Sequence, residues 1–392
     1  MTAGYAPHFS RCLGAVPGRL HVCAHSHHPW PDVTFEAQQQ AWLDAARLAD
    51  DKWDEVFGVV LPEAAAHITG RLGLSDPEAV AFAPSTHALV MRLLSTVPAP
   101  VRILTTDAEF HSFTRQARRL EEDGLAVVDR VTAEPFATFP ERFAERAAAG
   151  GHDLVYLSQV LFNSGYVVPG PDLAGIVTAV PDDGSFVVID GYHAFMAVPT
   201  DLGATESRAF YLAGGYKYAM AGEGAGFAHC APGYALRPRD TGWFASFGHL
   251  SAPPVRGQVA YPTGGARFLG ATFDPTGVYR FNAVQRWLDG LSLPVEAIHA
   301  HVVRLQAAFL ERVATGKAGP ALAGAELLPP VGVPDRGHFL TFRLPGAGAL
   351  YQALHQAGVV TDHRDDRLRL GFGIYHDDSD VDELCLRLSR LG

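Results

Sequence analysis

The sequence predicts an α/β fold, with a mainly parallel, doubly wound sheet in a large domain and a smaller α+β domain. Short apolar runs alternate with helical segments from about residue 79 to residue 229, as in sheets whose strands are joined by helices. Most of these runs are apolar at every position, which is typical of strands buried on both faces. The alternation of apolar runs and helical segments ends after residue 243, and 392 residues suffice for two domains.

The large domain is expected to begin with helices and to continue with strands and helices in alternation. Apolar residues at three- and four-residue spacing predict helices over 34–57 and 62–72, with Pro62 in the first turn of the second. Apolar runs predict strands over residues 79–82, 101–104, 126–128, 154–157, 186–189, 209–212 and 226–229. Further helices are predicted after Thr86 and near residues 113–122, 140–149 and 172–179.

The C-terminal part predicts the smaller domain. Residues 245–278 are rich in Gly, Pro and aromatic side chains, and we expect loops to dominate there. The elements predicted next are a helix over 294–313, a strand over 339–344, a helix over 350–357, a strand over 368–370 and a helix from Ser379. We therefore expect an N-terminal segment (1–50) that contributes to the small domain and the active site, a large domain (51–270) and a C-terminal domain (271–392).

Composition narrows the class of function. The net charge is −11 and no dense run of Lys and Arg offsets it, which argues against a nucleic-acid or anionic-membrane surface. The four cysteines lack paired spacing, as is typical of reduced thiols in a cytoplasm. The N-terminus lacks the basic and apolar regions of a signal peptide, and no apolar run is long enough to span a membrane. We expect a cytoplasmic protein.

Three chemically active side chains follow two predicted strands. One apolar run ends on Asp190, with His193 three residues later, and a second run leads through a Gly-Gly turn to Lys217. In α/β sheets, ligands are held just past the carboxyl ends of the strands. We interpret Lys217 as the residue that carries pyridoxal phosphate through a Schiff base, and Asp190 as the acid that keeps the ring nitrogen protonated. Taken singly, Lys217 could be a surface lysine and Asp190 a helix cap.

Ser85 and Thr86 lie between a predicted strand and a predicted helix. The unpaired N–H groups at a helix N-terminus favour a phosphate, and hydroxyl side chains add donors. The alternative is a simple N-cap. The glycine-rich segment from Gly222 to Gly226 lacks the frame of a dinucleotide site.

The cluster formed by His25, His27 and His28 supports a rival interpretation. An HxH pair at a strand end can begin a zinc site, with His193 and Asp190 as further ligands, and would indicate a zinc-dependent hydrolase. The strand spacing fits an open sheet better than the eight regular units of a barrel, so we predict no metal.

The motifs resemble the class V branch of the fold-type I pyridoxal-phosphate enzymes, and kynureninases within it, from about residue 20 to the C-terminus. The strongest matches are Asp190-x-x-His193-Ala194, which looks like the DxxHA motif, and Tyr216-Lys217-Tyr218, which looks like the YKY motif. The resemblance implies a homodimer with the active site at the interface. The cofactor contacts that it implies are Ser85, Thr86, Phe110, Asp190, His193, Tyr216, Lys217, Trp243 and Thr272, the last across the dimer interface.

The resemblance also implies a substrate side and a reaction. Arg369 matches the arginine that clamps the substrate α-carboxylate, and Trp243 would line the pocket. Ser26 and His27 lie in a loop that replaces the glycine- and leucine-containing loop of the family. The implied reaction is hydrolytic cleavage of the Cβ–Cγ bond of kynurenine or a related γ-keto amino acid, which releases alanine, with Tyr216 as proton donor.

Departures from the family concern substrate recognition more than cofactor binding. Ala219 and Met220 follow the YKY motif where the family has Leu-Asn, and Ala245 and Ser246 are inserted after Trp243-Phe244. An aminotransferase or β-lyase acting on another amino acid would need the same lysine, aspartate and arginine, so it stays open, as does a catalytically silent relative. Cysteine desulfurases need a nucleophilic cysteine in a loop of the small domain, and neither Cys230 nor Cys385 suits that role.

Overall fold

The computed structural model describes residues 4–249, 257–332 and 336–391. Thirteen strands occur within these ranges: β1 Leu20–His21, β2 Val80–Ala83, β3 Val101–Thr106, β4 Ala126–Val131, β5 Leu154–Ser158, β6 Phe186–Asp190, β7 Ala209–Gly214, β8 Gly226–His229, β9 Glu326–Leu328, β10 Phe339–Arg343, β11 Val359–Val360, β12 Asp362–Arg364 and β13 Arg367–Gly371.

The α-helices of the described ranges are α1 Ser10–Gly14, α2 Val33–Leu48, α3 Lys52–Glu55, α4 Leu61–Leu72, α5 Thr86–Leu94, α6 His111–Glu122, α7 Phe139–Ala148, α8 Gly170–Ala179, α9 Thr276–Gly290, α10 Val295–Ala314, α11 Ala347–Gln356 and α12 Asp378–Ser389. A π-helix, Val56–Val60, joins α3 to α4. No helix among the described residues is both long and apolar enough to cross a bilayer.

The central sheet has seven strands in the order β2-β8-β7-β6-β5-β3-β4. Strands β3 to β7 pair in parallel, whereas β8 is antiparallel to both of its neighbours. The sheet is therefore mixed but mostly parallel, as the fold class predicted from the sequence requires. Because parallel strands present their carboxyl ends at one edge, the residues after β5, β6 and β7 are brought to one place.

Helices cover both faces of this sheet because its strands are apolar on both sides. Along β6, Val188 packs with Phe113 of α6 and with Leu89 of α5. Its neighbour Val187 packs on the opposite face, in a cluster that includes Phe143 of α7. This alternation at a period of two residues gives two apolar layers around one sheet.

The second sheet has four antiparallel strands in the order β12-β13-β10-β9. It packs with α10, α11 and α12 around an apolar cluster of its own. Strand β1 pairs in parallel with β11, with Leu20 opposite Val359, so the N-terminal segment lies against this unit. The domain boundaries expected from the sequence stay a prediction.

Most of the predicted elements lie within a few residues of their predicted positions. The short elements α1, β9, β11 and β12 were not predicted, and three further differences concern longer helices. Helix α9 was missed because the preceding segment was interpreted as loop up to residue 278. The first predicted helix is interrupted at Ala49, which has a positive φ of 51°. Helix α12 is capped by Asp377, whose side chain accepts from the Asp380 backbone in a capping box, rather than by Ser379. Residues 250–256 of the predicted loop lie outside the described residues.

Candidate active site

A cavity of about 210 Å³ opens at the carboxyl edge of the central sheet. The predicted cofactor residues that line it are Ser85, Thr86, Phe110, Asp190, His193, Tyr216 and Lys217. Seven of the nine residues that the resemblance implied are thus brought together, although they come from four separate stretches of chain. Their roles toward a cofactor stay proposals.

One end of the cavity is the N-terminus of helix α5. The Ser85 hydroxyl accepts from the backbone N–H of Ala88 at 3.3 Å, so Ser85 is the N-cap that the simple alternative predicted. Ser85 and Thr86 both also line the cavity. Strand β8 runs so close behind this turn that a Cβ on Gly226 would lie 2.7 Å from the Ser85 carbonyl carbon. Only glycine fits there, because any side chain would displace the turn.

Lys217 is buried at the end of β7, with 7% of its surface exposed. Burial, and then the positive charge of Arg369, lowers the pKa of Lys217 to about 7. Its amine contacts both ring nitrogens of His193 and lies 5.3 Å from the centre of the Phe110 ring. A large fraction of Lys217 is therefore neutral at pH 7, as an amine must be to attack a carbonyl carbon.

Asp190 ends β6 and forms part of the cavity wall. One carboxylate oxygen accepts from the Tyr156 hydroxyl at 2.7 Å, and the other accepts from the Tyr192 backbone N–H at 2.9 Å. Burial raises the pKa of Asp190, while these hydrogen bonds and the charge of Lys217 act in the opposite direction. The site thus has a lysine amine and a carboxylate in one buried cavity.

His193 is neutral, because burial and then the nearby Lys217 amine hold its pKa well below the ordinary value. Phe110 is 38% exposed at the start of α6, where its ring is free to cover a ligand. Tyr216 is half-buried. These side chains present an aromatic ring, an imidazole and a hydroxyl to the cavity beside the lysine.

Arg369 lies outside the lining of this cavity, contrary to what a substrate clamp requires. Its side chain is 2% exposed and forms an ion pair with Asp362. It also donates to the Phe162 carbonyl at 2.6 Å, with its guanidinium carbon 4.4 Å from the centre of the Phe162 ring. The arginine expected to bind a substrate carboxylate is therefore paired with a carboxylate of the protein itself.

Asp362 is held between two arginines. Oδ1 accepts from Arg364 at 2.6 Å, and His25 Nε2 lies 3.7 Å from Oδ2, the oxygen that pairs with Arg369. Burial alone would raise the pKa of Asp362, but His25 and Arg369 outweigh it and hold this pKa well below the usual range. Asp362 is thus a buried anion in a locally cationic setting.

The three N-terminal histidines separate in space. His25 is buried and stacks on Phe339 at 4.8 Å, whereas His28 is buried in the core with Nδ1 2.7 Å from the Pro29 carbonyl. His27 is exposed, 5.4 Å from the Tyr216 ring, and so lies near the cavity. Ser26 is half-buried.

A zinc site built from these histidines finds no support. Among the described residues, the one group that brings three potential ligand atoms together is Cys23, His25 and Asp362. It includes neither His27 nor His28, and both Asp362 oxygens already pair with guanidinium groups. A cation there would lie beside two positive charges, so the prediction that no metal is bound is retained.

Trp243 and Thr272 are the two predicted cofactor residues that the cavity does not include. The Trp243 indole N–H donates to the Thr272 hydroxyl at 2.7 Å, and Trp243 is 38% exposed. They form a pair on the surface and are not among the residues that line the cavity.

Four residues near the site were missed from the sequence. Tyr156, Phe162 and Asp362 contact Asp190 or Arg369, and buried Glu109 accepts from Ser158. Glu109 directly precedes Phe110, and Tyr156 lies two residues before the end of β5, so their positions in the sequence could have indicated that both lie near the site. No such signal was available for Asp362 and Phe162, because their partner Arg369 is on another strand.

Comparisons with known proteins agree on the fold. Residues 298–388 match the kynureninase C-terminal domain family. Isopenicillin N epimerase of Streptomyces clavuligerus is 31% identical over 209 residues, which is 51% of each protein; the match thus spans about half the length of this curated relative.

Among solved structures, the cystine C–S lyase C-DES in complex with cysteine persulfide superposes with a TM-score of 0.79 at 17% identity, over 96% of this chain and 99% of that one. A C-DES mutant with glycine covalently linked to its pyridoxal-phosphate cofactor superposes with a TM-score of 0.78 at 16% identity, over 98% of this chain and 99% of that one. A cysteine desulfurase from Thermococcus onnurineus superposes with a TM-score of 0.78 at 15% identity, over 100% of this chain and 99% of that one.

The chain has the fold of the fold-type I pyridoxal-phosphate enzymes. Within that fold it is similar to the class V, aminotransferase-like branch, whose cofactor is pyridoxal phosphate. The specific resemblance to kynureninases is supported over the C-terminal residues alone.

The residues present fit this cofactor. Lys217 is a buried, readily deprotonated amine, Asp190 is a carboxylate suited to a ring nitrogen, and Phe110 is a ring free to stack on the cofactor. Ser85 and Thr86 supply hydroxyl groups at a helix N-terminus suited to a phosphate. Each chemical part of the cofactor thus has a matching donor or surface in one cavity.

Proposed function

We propose that this protein is a pyridoxal-phosphate enzyme that acts on an amino acid as a lyase, cleaving the bond between Cβ and its substituent. The observation that carries the proposal is the buried Lys217 amine, whose pKa is lowered to about 7, in one cavity with Asp190. The bound cofactor supplies an electron sink for the negative charge that develops at Cα.

The residues of the chain divide the remaining tasks. Ser85, Thr86 and the first turn of α5 bind the phosphate, and Phe110 covers the ring. Asp190 holds the ring nitrogen in its protonated form. Lys217 binds the cofactor and then, once freed, takes the proton from Cα of the substrate, because a lysine of lowered pKa is an effective base near neutral pH. Tyr216, which lines the cavity, would return a proton.

Lyase chemistry is favoured over persulfide transfer by the cysteines. Cysteine desulfurases use a protein thiol, but Cys230 and Cys385 are both buried, and burial raises their pKa to about 12 and about 11. A thiol so hard to ionise is a poor nucleophile. C-DES, the structural relative named for cystine cleavage, shows that the fold accommodates a C–S lyase.

The cofactor claim is tested by reducing the protein with borohydride after incubation with pyridoxal phosphate. The chain has three lysines, Lys52, Lys217 and Lys317, so peptide mass mapping assigns the modified residue directly. We expect the pyridoxyl group on Lys217. A colourless protein, or modification distributed equally over all three lysines, would overturn the proposal.

The reaction is tested by incubating the loaded enzyme with L-cystine, L-cysteine and alanine derivatives that carry a leaving group on Cβ. A lyase releases pyruvate and ammonia in equal amounts without an added acceptor. Formation of a keto acid that keeps the Cβ substituent, dependent on an added keto acid as amino acceptor, would indicate an aminotransferase instead, and racemisation without release would indicate an epimerase.

Kynureninase-like hydrolysis is the second candidate, because residues 298–388 match the C-terminal domain of that family. The comparisons do not support it beyond this region, and Arg369 is not open to the cavity. Incubation with L-kynurenine distinguishes the two, since the hydrolase releases anthranilate and alanine. Release of both at a rate above that of pyruvate formation would make it the main function.

We also propose that the protein is a homodimer. The surface pair of Trp243 and Thr272 would then lie at the interface and complete the phosphate site of the partner subunit's cavity. Light scattering on the loaded protein measures the mass, and a monomer with full activity would contradict this arrangement.

A further inference from the structure

Both carboxylate oxygens of Asp190 already accept hydrogen bonds from the protein. The Tyr192 backbone N–H lies 2.9 Å from Oδ1, and the Tyr156 hydroxyl lies 2.7 Å from Oδ2. A hydrogen bond donated to a carboxylate stabilises its charged form and lowers its affinity for a further proton. A ring nitrogen that reaches Asp190 therefore meets a carboxylate already weakened as a base.

We propose that Tyr156 is a positioning residue that stabilises the Asp190 anion, so that the proton shared with the cofactor ring nitrogen stays on the ring. This inference rests on the proposed function. A ring that keeps its proton withdraws more electron density from the lysine-linked carbon, which is the property that an electron sink requires.

The packing of Tyr156 fixes this role. The residue lies on β5, and its ring stacks on Phe113 with 3.7 Å between centroids and an angle of 4°. It is 2% exposed and its hydroxyl faces the cavity wall. Burial raises the pKa of Tyr156 well above its ordinary value, so the hydroxyl stays protonated and remains a donor at any working pH.

Other titratable groups face Asp190 from the neighbouring elements. Glu109, in the loop after β3, has a pKa raised to about 7 by burial, and Lys217 lies after β7. Tyr211 on β7 is fully buried, but its hydroxyl donates to Gln159 at 3.1 Å rather than to Asp190. Tyr211 is therefore a matched control: it is a buried tyrosine on an adjacent strand with its hydrogen bond directed elsewhere.

The experiment follows the visible absorbance of the lysine-linked cofactor as a function of pH in the loaded protein. In Tyr156→Phe, the proton moves toward Asp190 and the ring withdraws less electron density, so the pH midpoint of the absorbance change should rise. We expect a rise of about half a pH unit or more, which corresponds to a fraction of the free energy of a charge-assisted hydrogen bond. Tyr211→Phe should leave the midpoint unchanged. Glu109 and Lys217 are common to all three proteins, so they cannot produce the difference. An unchanged midpoint in Tyr156→Phe, or an equal rise in Tyr211→Phe, overturns the inference.

A second variant keeps the test independent of folding. Replacing Tyr156 by 3-fluorotyrosine preserves its shape and makes its hydroxyl a stronger donor, so the midpoint should fall; an unchanged or higher midpoint overturns the inference. Failure of the proposed function is distinguishable. A protein that binds no cofactor shows no visible band, and one that is not a lyase keeps the band but forms no pyruvate, whereas failure of this inference leaves the band in place with its midpoint unshifted in Tyr156→Phe.

Discussion

The cofactor side and the substrate side of the candidate site are built in opposite ways. On the cofactor side, Ser85, Phe110, Asp190 and Lys217 line one cavity and leave chemical groups available for a ligand. On the substrate side, Arg369 is buried and paired with Asp362. One side is open for a ligand, whereas the charged group of the other is already paired within the chain.

This difference indicates which part of the site is set by the fold. The cofactor groups follow directly from parallel strands that end at one edge, so any chain with this sheet brings them together. The substrate groups depend on how the C-terminal unit meets the large one.

The largest effect is expected for Lys217→Ala, which removes the cofactor anchor and the base together. Activity should fall by a factor of at least ~10³ and the visible band should disappear, since nucleophile and base are lost at once. Lys317→Ala is the control, because Lys317 is exposed. Absorbance and product release measure both, and a band that survived in Lys217→Ala would show that another lysine carries the cofactor.

Arg369→Gln should act on stability more than Lys217→Ala does. It leaves the buried Asp362 carboxylate with only Arg364 and His25, and breaking a buried pair costs roughly 3 kcal/mol. Urea unfolding of the apo-protein measures the loss. The double variant Arg369→Met/Asp362→Leu should recover much of it, because an apolar pair avoids the desolvation of both charges. A stability unaffected by Arg369→Gln would mean that Arg369 is free for substrate.

Capture of pyridoxal phosphate by the apo-protein should depend on pH with a midpoint near 7, the lowered pKa of Lys217. Below this pH the amine is protonated and cannot attack the aldehyde, so the rate should rise with pH and level off above it. Stopped-flow absorbance gives the midpoint. In Arg369→Gln the midpoint should move upward, because a positive charge that destabilises the ammonium form is removed. An unmoved midpoint would show that the two sides are not electrostatically coupled.

The smallest effect is expected for Thr272→Val. In a monomer it should change cofactor affinity by no more than roughly 0.5 kcal/mol, as is usual for surface substitutions. In a dimer whose subunits exchange this residue, it should weaken cofactor binding by about 1 kcal/mol, the value of one hydrogen bond. Fluorescence titration of the apo-protein, with the mass measured in parallel, discriminates between the two.

Sequence patterns predicted the fold and the meeting of Asp190 and Lys217 at one edge of the sheet, because both depend on local signals. Each buried strand is a short apolar run, and Asp190 and Lys217 follow such runs directly. Helix α9 was missed although Val278, Phe281, Val284 and Leu288 recur at helical spacing, because the Gly- and Pro-rich stretch before it obscured its start.

The state of the substrate side could not be predicted in the same way. Nothing near Arg369 in the sequence shows that its partner would be Asp362 on the neighbouring strand, since β12 is only three residues long and has no apolar pattern. Whether a charged residue binds a ligand or another side chain depends on side-chain directions after folding. A motif match identifies the residue but not its partner.

The pairing of β1 with β11 has a consequence for how the chain acquires its structure. During synthesis, Leu20 and His21 emerge early, but their partner strand is made only after nearly all of the other elements. The loop that carries His25 and His27 therefore has no fixed position until the C-terminal unit is complete. Contacts so distant along the chain close slowly, so β1 is among the last strands to reach its final place.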